Sequence, residues 1–384
     1  MSYLRCHLWI PAVLCIFVAT TLVSGCGSDN SPGIPNLPNV FTRTNLVSDI
    51  PGFSDSAGST ATTDPNLKNP WGVSFTPTSP FWVSDNGTGV ATLYDGSGAI
   101  TPFVVNIPTT SAPTGGAATG QVSNPIAGFL VAPAGPAKFI FATEDGTISA
   151  WSSGTNAVLE VDRSSVGAVY KGLAMASTAT DTFIYAADFH NGKIDVFDST
   201  WAMAALSGTF TDPNKPAGFA PFNIQNIGGS LYVAFAKQDA AAHDEVAGAG
   251  LGFISIFSPD GRFVRRVATG IGAGGNVREL NAPWGIAQAP ADFGVFSNSL
   301  LIGNFGDGRI TAFDPVSHAL LGQLRDATGN PVTIPGLWAL TFGNGASAGQ
   351  TNVLFFTAGI NDEKDGLFGS IQPATRKPAR KPAH

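Results

Sequence analysis

Four oxygen-bearing side chains, Asn86, Glu144, Asp188 and Asn304, fall at or just after the ends of short apolar runs, each with glycine a few positions on. Carboxylate and amide oxygens converging from several such turns could hold a hard cation such as Ca²⁺, which takes about six to eight oxygen ligands. More donors occupy comparable positions: Asp85, Asp145, Asn191, Asp239, Asp244, Glu245, Asp307, Asn361, Asp362, Glu363 and Asp365. Asn69, Asn124 and Asn281 precede other apolar runs. The structural reading stands beside the metal one, because Asp and Asn before Gly are what tight turns prefer.

His190, two residues after Asp188, is the candidate general base, since a neighbouring carboxylate raises and orients an imidazole. The alternative is an ordinary exposed loop histidine. Beyond His7 and His384, only His190, His243 and His318 remain, and His318 belongs to a turn of the opposite kind, so a three-histidine zinc site is not expected. There is no G-x-S-x-G elbow, P-loop or dinucleotide fingerprint; GAGGN at Gly272 lacks the strand and helix such a fingerprint needs.

The elements that must position these residues repeat. Six segments share a glycine opening an alternating run that ends on a large side chain: GVATLYD from Gly89, GTISAWS from Gly146, GKIDVFD from Gly192, GFISIFS from Gly252, GRITAFD from Gly308 and GLFGSIQ from Gly366. Each follows another β-rich run, FWVSD, KFIFATE, TFIYAAD, SLYVAFA, SLLIGNF or NVLFFTA. Near-continuous apolar runs upstream suit a doubly buried inner strand: WGVSF from Trp71, IAGFLVA from Ile126, GLAMA from Gly172, FNIQNI from Phe222, WGIAQA from Trp284 and LWALTF from Leu337. More polar runs downstream, such as TPFVVNI from Thr101 and FVRRVA from Phe263, suit an outer edge, with only a weak LSGTF in the third unit.

The sixth unit has no downstream run, and Thr42 to Ser48 can supply it. The expectation is therefore an all-β, six-bladed β-propeller over residues 41–373, with four-stranded blades and an N-terminal strand completing the last one. Two β-sandwiches would not require six equivalent units. Trp71, Trp284 and Trp338 recur in the inner runs, either packing between blades or lining a ligand channel. The insertion Ala240–Gly250 could partly cover one end.

The blades resemble those of NHL-type propellers, and the arrangement with PWGVSF near the start and NAPWGIA in the fifth unit is similar to an uncharacterised family of exported bacterial proteins. That resemblance implies export and a propeller, with no established activity. The wider superfamily includes calcium-dependent lactonases and esterases, a zinc-dependent lyase and members that only bind, and fold does not choose among them.

The apolar stretch Leu8 to Val23, ending in Val23-Ser24-Gly25-Cys26, reads as a lipoprotein-type signal peptide over residues 1–25, with Cys26 the lipidated N-terminus. An ordinary secretory signal is the alternative. Gly27 in place of Asp points, by analogy with Gram-negative lipoproteins, to the outer membrane. All three cysteines, Cys6, Cys15 and Cys26, lie in or beside the signal, which excludes a disulfide framework and a catalytic thiol from the rest of the chain. Residues 26–40 read as a flexible tether and 374–384 as a basic tail that is solvated or touches anionic lipid or cell-wall polymer. A net charge of −7 argues against nucleic acid as a partner.

Two functions follow. The first is a monomeric, lipid-anchored binding or scaffold module at the cell envelope, taking a protein, glycan or small molecule. The second is a calcium-dependent hydrolase of the lactonase or esterase type.

Overall fold

The computed structural model describes residues 40–54, 59–270 and 280–374. The signal peptide, Cys26, almost all of the tether and of the basic tail, and the GAGGN segment lie outside the described residues.

The alternating runs form the expected six-bladed β-propeller. Blade 1 is built from Pro70–Ser74, Phe81–Asp85, Val90–Tyr94 and Ile100–Asn106, paired in that order and antiparallel. Blades 2, 4 and 5 repeat this order, with first strands Ala118–Ser123, Phe219–Ile227 and Pro283–Gln288. The first strands touch in sequence, blade 1 against 2, 2 against 3 and so on, until Leu337–Phe342 of blade 6 meets Pro70–Ser74 of blade 1. In blade 6, Phe41–Ser48 lies antiparallel to Asp365–Pro373, from Phe41↔Pro373 to Ser48↔Leu367.

Two elements differ from the sequence expectation. Blade 3 has three strands, Tyr170–Ser177, Thr182–Asp188 and Lys193–Phe197; the LSGTF run from Leu206 forms no strand, and one isolated bridge, Phe197↔Met203, precedes it. In blade 2 the inner strand is Ala118–Ser123, not the run from Ile126. The Asn124 side-chain amide donates to the carbonyls of Ile126, Gly128 and Ala137, folding that run into a loop. Its apolar character serves the wall between blades 2 and 3, where Phe129 and Val131 join Ile140, Ile184 and Phe197.

The inner strands approach so closely that side chains give way. A Cβ on Gly120 would lie 2.2 Å from the Leu173 nitrogen. Polar side chains then tie neighbouring blades: Gln121 Nε2 donates to the carbonyls of Gly72 and Trp82, both at 2.8 Å, and Asn223 Nδ2 to that of Trp284 at 2.7 Å.

Aromatic rings fill part of the ring's centre. Trp71, Phe222, Trp284 and Trp338, from blades 1, 4, 5 and 6, pack on one another, and the centroids of Trp71 and Trp338 are 3.4 Å apart with planes 19° from parallel. Phe189 and Phe305 extend the cluster. The tryptophans therefore form a central plug, rather than packing only between adjacent blades. Beside it remains a cavity of about 30 Å³ lined by residues such as Gly72, Gln121, Asn223 and Trp284, close to the space one water occupies.

Candidate functional site

A lysine stands over this plug. Lys171 is the second residue of the first strand of blade 3, and its side chain is 1% exposed. Its ammonium lies 5.1 Å from the Trp71 ring centroid, within cation–π range. Its backbone carbonyl accepts from Trp284 Nε1 at 3.0 Å, which fixes the strand to the plug. A buried cation must be paired, and here two carboxylates do so: Glu144 Oε1 at 2.5 Å and Asp244 Oδ1 at 3.0 Å.

Each partner comes from a turn on the same end of the ring. Glu144 follows the second strand of blade 2, and its other oxygen accepts from Asn86 Nδ2 of blade 1 at 2.8 Å. Asp244 belongs to the insertion of blade 4, where its Oδ1 also meets His243 Nδ1 at 2.8 Å. The insertion is folded on itself: Asp239 accepts from the His243 backbone at 2.9 Å and donates its own N–H to the Asp244 carbonyl at 2.8 Å. From blade 6, Glu363 accepts from Asn69 Nδ2 at 2.9 Å, and Asn69 Oδ1 in turn accepts from Trp338 Nε1 at 3.0 Å. Glu363 ends three consecutive left-handed residues, Asn361, Asp362 and Glu363, with φ of 55°, 55° and 62°. Such a run is costly without glycine.

The electrostatics follow from burial and from the one cation. Burial works against the charge on Lys171, but Glu144 beside it carries the pKa above the usual lysine value, so the ammonium persists at neutral pH. Burial likewise opposes the Asp244 carboxylate, and Lys171 with His243 overcomes it and holds that pKa low. Glu245 is pushed up to about 8 by burial, against the pull of Lys171, and so keeps its proton at pH 7. Glu363 is raised for the same reason, with Asn69 opposing.

Of the four leading metal candidates from the sequence, Asn86 and Glu144 lie together in this cluster, joined by the loop donors Asn69, Asp244 and Glu363. Asp188 and Asn304 do not. The Asp188 carboxylate is fully buried and accepts from the backbone of Val169 and Asn191 and from Asn191 Nδ2. Asn304 Oδ1 accepts from the Asn281 backbone at 3.0 Å, and its amide reaches the Arg309 carbonyl at 3.3 Å. Both occupy the last position of a second strand and brace the turn that follows, as Asp85 does through Thr92 Oγ1 at 2.8 Å. His190 is exposed, and no imidazole hydrogen bond to Asp188 forms. Lys171 went unnoticed in the sequence. Its signal was a lone charge inside the apolar run AVYKGLAMA, where a charge must either be paired or be wrong.

Glu144, His243 and Asp244 each offer a donor atom within 4.8 Å of the others. As they stand, Glu144 Oε1 and Asp244 Oδ1 face an ammonium and Glu144 Oε2 faces an amide N–H. The arrangement suits an internal cation better than Ca²⁺, which needs those lone pairs itself. No nucleophile paired with a base stands among them.

No protein-family model matches the chain. The chain is 36% identical over 335 residues to uncharacterized protein R648 of Acanthamoeba polyphaga mimivirus, covering 83% of this chain and 78% of that protein. It is 32% identical over 325 residues to uncharacterized protein L690 of the same virus, covering 80% and 81%. Among solved structures, a streptogramin B lyase is 12% identical with a TM-score of 0.49, covering 87% of this chain and 97% of that one. A gluconolactonase from Xanthomonas campestris is 15% identical with a TM-score of 0.38, covering 62% and 82%. The sequence relatives are viral, where the sequence resembled an exported bacterial family; the propeller is the part of that resemblance the structure supports. At these identities and lengths, the chain belongs to the same family as R648 and L690 of Acanthamoeba polyphaga mimivirus.

Proposed function

We propose that the propeller is a binding module whose ligand seats on the acidic end of the ring, over the plug and the Lys171 cluster. The observation that carries this reading is the Lys171 ammonium lodged between Glu144 and Asp244. It already fills the place where a catalytic cation would sit, and it stays charged. The partly exposed rim of the cluster, His243 and Asp244, offers contacts to a protein, glycan or small molecule. A cell-envelope address, with lipid on Cys26, belongs to the same proposal and is supported by the Val23-Ser24-Gly25-Cys26 string.

A calcium-dependent hydrolase is the second reading, favoured by the three donors Glu144, His243 and Asp244. It requires the ammonium to leave. Calorimetric titration of the purified chain with Ca²⁺ and Zn²⁺, run beside a lactone-hydrolysis assay, separates the two. The binding reading expects no saturable metal heat and no turnover. Stoichiometric metal uptake, with EDTA-sensitive hydrolysis lost in Glu144→Ala, would establish the hydrolase instead.

A further inference from the structure

The inner strands enclose a second space, on the far side of the plug from Lys171. Each first strand starts beside the turns that build the Lys171 cluster and finishes at the opposite end of the ring; in blade 1, Pro70 pairs with Asp85 and Ser74 with Trp82. Among the last residues of these strands lies a cavity of about 220 Å³, bordered by Ser74 of blade 1, Gln121 and Ser123 of blade 2, Met175 of blade 3, Gln225 of blade 4 and Thr341 of blade 6. At about 30 Å³ for each water of the liquid, it has room for about seven. Gln121, Gln225 and Thr341 also border the one-water space beside the plug. The two spaces are one channel, open at the end away from Lys171 and blind where Trp71, Trp284 and Trp338 pack together.

The lining is polar without being charged. Carboxylates such as Glu144 and Asp95 stand at the two ends of the ring, yet no Asp, Glu, Lys, Arg or His borders the channel. A charged ligand would shed its water there with no counter-charge to meet it. A wholly apolar one would strand the polar groups of the wall. Some of those groups are already engaged. Gln121 gives its amide to the Gly72 and Trp82 carbonyls and accepts from Ser74 Oγ at 3.3 Å, and Asn226 Nδ2 donates to the Met175 carbonyl at 2.7 Å. The Gln225 carboxamide and the Ser123 hydroxyl, by contrast, have no hydrogen-bond partner among the described residues. Each of these groups both donates and accepts, as a ligand hydroxyl does. Between them Val73, Phe75 and Met175 present apolar surface. Hydroxyls alternating with C–H faces are the chemistry of a sugar. The wall is also built in advance, because inter-blade bonds hold the strands, so binding has little ordering to oppose it.

The geometry points to a second binding site: the blind channel at the end opposite the Lys171 cluster takes an uncharged, polyhydroxylated molecule of monosaccharide size, held through Gln225 and Ser123. The aromatic plug separates this channel from the acidic end, so failure of the inference leaves the binding reading of the Lys171 cluster untouched.

Saturation-transfer NMR on the full chain, sensitive to dissociation constants of about 1 mM, tests it with glucose, galactose and mannose as probes, each beside its own uronate and amino sugar. At least one hexose is expected to bind, and its charged counterparts to bind at least about tenfold more weakly. Gln225→Leu should weaken binding of that hexose by about tenfold and Ser123→Ala by about fivefold, with urea midpoints near the parent's. Should the leucine variant fail to fold, the alanine variant carries the test. Binding by none of the three hexoses at about 10 mM, equal affinity for charged and uncharged sugars, or an affinity indifferent to the substitutions overturns the inference.

Discussion

The Lys171 ammonium and the Glu144 carboxylate form an ion pair between adjacent blades, 2.5 Å apart, with the Trp71 ring close to the ammonium. Blade 3 supplies the cation, blade 2 the anion and blade 1 the aromatic face, so the pair forms only when three blades close correctly. Buried pairs of this kind contribute little net stability, yet losing one partner strands the other without its counter-charge.

Lys171→Met should therefore lower stability by roughly 3 kcal/mol, most of it from Glu144, because Asp244 is well exposed and water screens it. Urea unfolding measures the loss. The same substitution frees Glu144 and Asp244 beside His243, so Ca²⁺ or Zn²⁺ should raise the melting temperature of the variant and leave the parent unchanged. An equal metal response in both chains would mean that the lysine does not guard the site.

The Glu245 carboxyl gives stability a pH dependence of known sign. Its folded pKa of about 8 lies above the unfolded value near ~4.3, so between those values the unfolded chain releases a proton that the folded chain retains. Its contribution is fully present below about pH 4.3 and is lost as the pH rises to about 8. Glu245→Gln, which mimics the protonated form, should match the parent near pH 4 and exceed it at pH 9 by up to about 5 kcal/mol. Urea midpoints that move in parallel for both proteins across that range would refute it.

The blades were legible because period-two alternation and turn glycines are local properties, and Gly89, Gly146, Gly192 and Gly308 all take the positive φ that their turns require. The site was legible only in part. Asn86 and Asp188 look alike in the sequence, each an oxygen-bearing side chain near a Gly turn, and only the folded structure shows that one reaches Glu144 while the other braces its own turn. Lys171 escaped because its partners lie 27 and 73 residues away. The blade 2 inner strand escaped because ATGQVS is hardly apolar: in a ring this tight, small residues and an inter-blade glutamine replace the usual hydrophobic run.

The proposed lipidation turns on a single atom, the Cys26 sulfur. Expressed in a Gram-negative host with labelled palmitate, the parent chain should incorporate label and fractionate with membranes. Cys26→Ala should lose the label. Label retained in that variant would place the acyl chain elsewhere, and absence of label from both would refute the proposed lipidation.

Gly120 tests how tightly the ring closes. The nearest atoms to a Cβ there are backbone: the Leu173 nitrogen at 2.2 Å and the Gly172 carbonyl carbon and Cα at 2.6 and 2.8 Å. No rotamer change can relieve such contacts, so Gly120→Ala must push blade 2 away from blade 3, and that displacement stretches the Thr119 hydroxyl's bond to the Tyr170 carbonyl, 2.6 Å long. Overpacking of this kind costs about 3 kcal/mol. A urea midpoint well below the parent's, at an unchanged m-value, is the expected outcome. Parent-like stability would mean that the inner strands can spread, and hence that the Lys171 cluster, which spans the same seam, is less rigidly held than its distances imply.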